Sequence, residues 1–138
     1  MRIKLTYNLI AGALLLAATP LWAHHSFEAE FDQNKPVNLS GKVTGMEWIN
    51  PHSWIWIDVK GADGKVVNWG VECGSPNTLF RRGFTKTSIP SGTEVVVDGY
   101  LAKDGSNRMN GRDVTLADGR KLFLGTSNPS AADENSSK

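Results

Sequence analysis

Three of the four Asp-Gly pairs, Asp63-Gly64, Asp104-Gly105 and Asp118-Gly119, each lie between two runs rich in β-branched and aromatic residues. Asp-Gly supplies the positive φ that a tight hairpin needs, so each pair predicts a β-hairpin. The flanking runs are VNLSGKVTGMEW (37–48), SWIWIDVK (53–60), VVNWGVE (66–72) and EVVVDGYL (94–101), then the shorter RDVTL (112–116) and KLFLG (121–125). They predict four long strands, followed by a fifth and a sixth joined by ADGR. Only GSPNTLFRRGF (74–84) breaks the β pattern. There Ser75 suits an N-cap, Pro76 the first helical position, Leu79 and Phe80 an apolar face, and Gly83 a left-handed C-terminal residue. A short helix of about two turns is expected. The resulting order, β-β-β-α-β-β, is all-β with one short helix between the third and fourth strands. That is the layout of an OB-like barrel of five to six strands.

The two ends of the chain read differently. Arg2 and Lys4 form a basic n-region, NLIAGALLLAA is apolar over a secretory rather than membrane-spanning length, and Pro20 precedes LWA. This pattern predicts a cleavable signal peptide over residues 1–23, although Leu21 is larger than the Ala usually preferred at its place before the cut. The expected product starts at His24, is exported to the periplasm and spans no membrane, with an N-terminal arm (24–36), a barrel domain (37–125) and a disordered tail (126–138). The tail, TSNPSAADENSSK, has no apolar residue larger than Ala and cannot contribute to a core. Loss of Arg2 and Lys4 takes the formal charge from +1 to −1, which is no nucleic-acid footprint. Cys73 is the single cysteine, so no intramolecular disulfide can form; a buried small hydrophobe is its plainest reading, ahead of a metal thiolate or an intermolecular disulfide.

The runs AHHSFEAEFD, EWINPHSWIWIDV, NWGVE, GSPNTLFRRGF, GTEVVVDGY and AKDGSN together resemble a bacterial family of small exported proteins catalogued as a domain of unknown function, number 6152. The resemblance covers nearly all of the expected mature chain. It implies export and one small β-domain, and brings no activity, substrate or catalytic residue with it.

The candidate chemistry begins at the new N-terminus. A chain starting with His24 offers its α-amine and its own imidazole Nδ1 as a chelate, and a second imidazole would complete a three-nitrogen, T-shaped set suited to Cu(II). The arrangement resembles the histidine brace of copper-dependent polysaccharide oxidases and of small periplasmic copper carriers. The second imidazole is His52, in the loop INPHSW, or His25, reached through a deprotonated backbone amide. A zinc site of two histidines and a carboxylate is a less distinctive fit. The same residues also have a plainer reading, with Glu28, Glu30 and Asp32 solvating the arm and His52 capping an Asn-Pro-His turn. The chain is small for an oxidase, and nothing marks Tyr100, the only tyrosine after residue 23, as an axial ligand. Copper binding or transfer is favoured over oxidative catalysis.

The second candidate is the aromatic strand SWIWIDV. Strand alternation puts Trp54 and Trp56 on one face and Ile55, Ile57 and Val59 on the other, so both faces are apolar. One face lines the core. The other either packs under the arm, with Phe27 and Phe31 as partners at i and i+4, or meets a glycan, a peptide or an envelope protein, as OB-folds do along this part of the sheet. Glu72 and the Arg81-Arg82 pair could form an acid–base or anion site, but read more simply as a solvated strand end and a cation-compensated helix C-terminus. Met46 and Met109 lack the clustering of a Cu(I) site and read as core fillers. No nucleophile elbow, phosphate loop or dinucleotide fingerprint is present, and no enzyme is expected.

Overall fold

A computed structural model describes residues 27–125. The expected signal peptide, His24, His25 and the tail 126–138 lie outside the described residues. Six strands and one helix follow in the expected order: β1 (Phe31–Glu47), β2 (Trp54–Lys60), β3 (Val66–Glu72), α1 (Pro76–Arg81), β4 (Glu94–Ala102), β5 (Arg108–Leu116) and β6 (Lys121–Phe123).

The three Asp-Gly pairs make the three hairpin turns. Gly64, Gly105 and Gly119 have φ of 79, 76 and 85°. Each preceding aspartate accepts a hydrogen bond from the backbone N–H two residues on, at Lys65, Ser106 and Arg120, so the side chain closes the turn that glycine opens. In α1 the Ser75 side chain accepts from Thr78 N–H with Pro76 behind it, and Gly83 sits beyond the helix end at φ 85°. The helix is shorter than two turns. Leu79 is buried, whereas Phe80 is 67% exposed, so α1 packs by a single apolar position and Phe80 is not part of its inner face.

Neighbouring strands run antiparallel in the order β3-β2-β1-β4-β5-β6, and a parallel pairing of Gly70–Glu72 with Arg108–Asn110 joins β3 to β5. The circuit β1-β2-β3-β5-β4 is thereby closed into an OB-like barrel. One edge of β5 is shared, Arg108–Asn110 going to β3 and Asp113–Thr115 to β6. Two strands start earlier than their apolar runs. β1 begins at Phe31, paired with Ala102, and a register shift before Pro36 absorbs the polar stretch between. β5 begins at Arg108, which pairs with Gly70 of β3, and the register shift at Asp98 and Gly99 leaves Arg112 as the extra residue of a bulge within it.

Ile55, Ile57, Val71, Val97, Met109 and Val114 point inward as the core, joined by Leu79, Phe84 and Leu124. Burying each such side chain contributes about 1.5–3 kcal/mol. A separate small cluster holds the arm. Residues 27–30 form a helical turn, and Phe27 and Phe31 bury against Ala102 and Tyr100. The Phe27 ring stacks on Phe31 at 5.9 Å and meets Tyr100 edge-on at 5.8 Å. Lys103 N–H donates to the Glu30 carbonyl at 2.9 Å, and the Lys103 ammonium donates to the Glu28 carbonyl. No helix among the described residues is long and apolar enough to cross a membrane.

Candidate functional site

The turn Gly61–Lys65 sets the register of the β2–β3 hairpin: Lys60 faces Val66, and counting outward brings Trp54 opposite Glu72. Two backbone bonds extend the pairing past the strand ends, Cys73 N–H to the Ser53 carbonyl at 2.8 Å and Ser53 N–H to the Gly74 carbonyl at 3.0 Å. His52, Trp54 and Glu72 therefore share the outer face, while Ser53, Ile55 and Cys73 turn inward. Across the barrel this face continues as one row, Tyr100 opposite Asn110, Asn110 opposite Glu72, Glu72 opposite Trp54, and Trp54 opposite Glu47.

Within that row His52 and Glu72 form a tight pair, with His52 Nδ1 and Glu72 Oε1 2.6 Å apart. The Glu72 side chain is only 5% exposed and that of His52 31%. A carboxylate so deeply buried needs a partner of this kind, since an unpaired buried charge is costly. The hydrogen bond from Glu72 is the largest influence on His52 and raises its pKa above the ordinary 6.5; burial opposes the rise, and the charges of Glu72 and Glu30 add to it. Glu30 belongs to the arm. Its influence shows that the docked helical turn and the His52 loop lie within electrostatic reach of each other. With Nδ1 held by Glu72, Nε2 is the ring nitrogen left for a ligand.

Of the three histidines expected to bind metal, His52 alone is among the described residues, and its side chain is paired with Glu72. Among the described residues no three His, Cys, Asp or Glu side chains come together as a metal-binding group. The Glu72 of the sequence reading, a solvated strand end, is corrected to a buried acid paired with histidine. Its signal was available in the hairpin register rather than in its charge. Cys73 is fully buried, and burial together with the Glu72 charge pushes its thiol strongly upward, so it is a neutral core residue. Met109 belongs to the core cluster and Met46, partly buried, packs against it. Arg82 caps α1 and lies 4.2 Å over the Phe123 ring, away from any acid–base pairing with Glu72.

Trp54 and Trp56 stack on the outer face, ring centroids 6.1 Å apart and planes 20° apart. Both are half-buried. The expectation that Phe27 and Phe31 cover them is not met, because those rings are taken by Tyr100 and Ala102. The indoles rest instead over Gly70, where an added Cβ would come within 2.9 Å of Trp56, and Trp56 Nε1–H donates to Glu47 Oε1 at 3.0 Å.

The fold and this face define a small OB-like barrel that carries a histidine–carboxylate pair and an aromatic pair on one side of its sheet. The chain belongs to a family of unknown function, DUF6152, whose model matches residues 13–111. No curated protein and no solved structure matches the chain at a significant level.

Proposed function

We propose that the protein is an exported, periplasmic copper-binding protein in which the α-amine and imidazole of His24, together with His52 or His25, hold Cu(II). The observation that carries this reading is the His52–Glu72 pair. A carboxylate on one nitrogen of a ligating histidine fixes the tautomer, orients the ring and leaves the other nitrogen basic and free for the metal. The docked arm adds to it. His24 precedes Phe27 by three residues, at most about 10 Å of extended chain, and Glu30 on the same arm already acts electrostatically on His52. A three-nitrogen set of amine and imidazoles suits Cu(II) better than zinc, which prefers a closed tetrahedral shell.

Two forms test the reading, one starting at His24 and one with a single residue added before it, after mass spectrometry of exported material has established the His24 start. Cu(II) titration read by calorimetry and electron paramagnetic resonance should give at least about tenfold weaker binding for the extended form, a loss of about 1.4 kcal/mol. Indistinguishable affinities and spectra would sink the amine-based site. His52→Ala then separates the two geometries: a lost nitrogen coupling assigns the second imidazole to His52, and an unchanged spectrum assigns it to His25.

A further inference from the structure

The outer face of β2 and β3 carries a second surface that the copper reading does not use. We infer that Trp54 and Trp56 form a stacking platform for the neutral pyranose rings of an oligosaccharide.

Three observations converge on that ligand class. The strand circuit is closed in the OB manner, and the platform lies on the face of β2 and β3 where such barrels take linear ligands. The indoles are held in advance of any ligand: Gly70 removes the side chain beneath them, and Glu47 fixes the Trp56 ring through its N–H. A platform already ordered loses little conformational entropy on binding. The rim is polar and of both signs. Glu47 stands beside Trp56, and in the next row Trp56 faces Gly70, which faces Arg108. The Arg108 guanidinium is itself held by Asp104 at 3.0 Å and Ser106 at 3.1 Å.

The chemistry of this rim selects among ligands. Sugar hydroxyls can donate to a carboxylate and accept from a guanidinium, while the C–H face of the ring lies on indole. A polyanion would meet Glu47 beside Trp56, and Arg108 already has Asp104 as its counter-ion, which argues against nucleic acid. A concavity of about 780 Å³ lies around Lys42, Asp58, Lys60 and Thr115, and neither Trp54 nor Trp56 lines it.

The experiment uses the form with one residue added before His24, in chelator, so that copper plays no part and failure of either reading leaves the other intact. Neutral hexasaccharides of β-1,4-linked glucose, α-1,4-linked glucose and β-1,4-linked N-acetylglucosamine are titrated in turn, with heparin and a single-stranded oligonucleotide as polyanions. At least one neutral hexamer should bind, shifting the indole N–H resonances of Trp54 and Trp56 and leaving those of Trp48 and Trp69, packed against the core, in place. Trp54→Ala, confirmed as folded by its amide spectrum, should weaken that binding about tenfold or more, as loss of one aromatic stacking contact does elsewhere. The absence of binding by all three neutral hexamers would overturn the inference, as would shifts confined to other residues or stronger binding of either polyanion. Should the variant fail to fold, the indole shifts of the unsubstituted chain decide alone.

Discussion

His52 and Glu72 are a case in which one contact determines protonation, orientation and burial together. Because the folded-state pKa of His52 is raised above 6.5, mainly by Glu72, the protonated imidazole is favoured by folding. That stabilisation is fully present below the unfolded value and is lost as pH rises through the folded value. In chelator, the thermal midpoint should therefore decline as pH is raised from below 6.5 through the raised value, measured by differential scanning calorimetry. Glu72→Gln should flatten this dependence over the same window. A slope unchanged in Glu72→Gln would mean that another group titrates. At Glu72 itself the sequence shows only a carboxylate at a strand end, the composition of a solvated position, and the signal for its burial lies in the register of the β2–β3 hairpin. Its burial comes from cross-strand neighbours and from a histidine 20 positions earlier in the chain. His52 was legible as a candidate because a lone histidine in an otherwise structural loop invites a chemical role. Its partner was not.

At the scale of elements, local chemistry was a good guide wherever the decisive contact spans a few residues. The hairpins follow from Asp-Gly, whose aspartate and glycine act within the turn itself. The helix start follows from Ser75 and Pro76. Ser75→Ala should cost about 1 kcal/mol, since the Thr78 N–H loses its acceptor, and urea unfolding at unchanged m-value is the measurement. A loss much above 2 kcal/mol would mean that the Ser75–Thr78 hydroxyl contact or nearby packing contributes as well. Phe80 shows the limit of local reading: successive helical positions lie about 100° apart, so with Leu79 turned to the core Phe80 points away from it. Strand starts were missed for a related reason. β1 starts at Phe31 ahead of a polar stretch and β5 starts at the polar Arg108, and these ends are strand because β4 and β3 offer them backbone partners.

Over the whole molecule, the circuit of strands is completed by a short parallel pairing between β3 and β5, which no hairpin signal announces. The order of elements nonetheless suggested it, since a helix between the third and fourth strands is how such a barrel bridges its ends. What the order left undecided was the placement of the arm. Phe27 and Phe31 were expected on the Trp54 and Trp56 face, but they bury on Tyr100 and Ala102, where Lys103 pins the arm's backbone. This cluster is separate from the barrel core, so the arm can be released without emptying the barrel. Phe27→Ala combined with Phe31→Ala should leave the barrel folded. Its local effect should appear as faster hydrogen exchange at the Lys103 amide, whose acceptor is the Glu30 carbonyl, with exchange at Val97 and Val114 little changed. If copper joins the arm to His52, the docked arm also raises the effective concentration of one ligand set at the other, a gain commonly worth about 10²-fold or more. The double variant should then bind Cu(II) about as weakly as a peptide of residues 24–31. Faster exchange at Lys103 with undiminished copper affinity would mean that the metal is held within the arm alone, by His24 and His25, and that the docking of Phe27 and Phe31 serves the fold rather than the site.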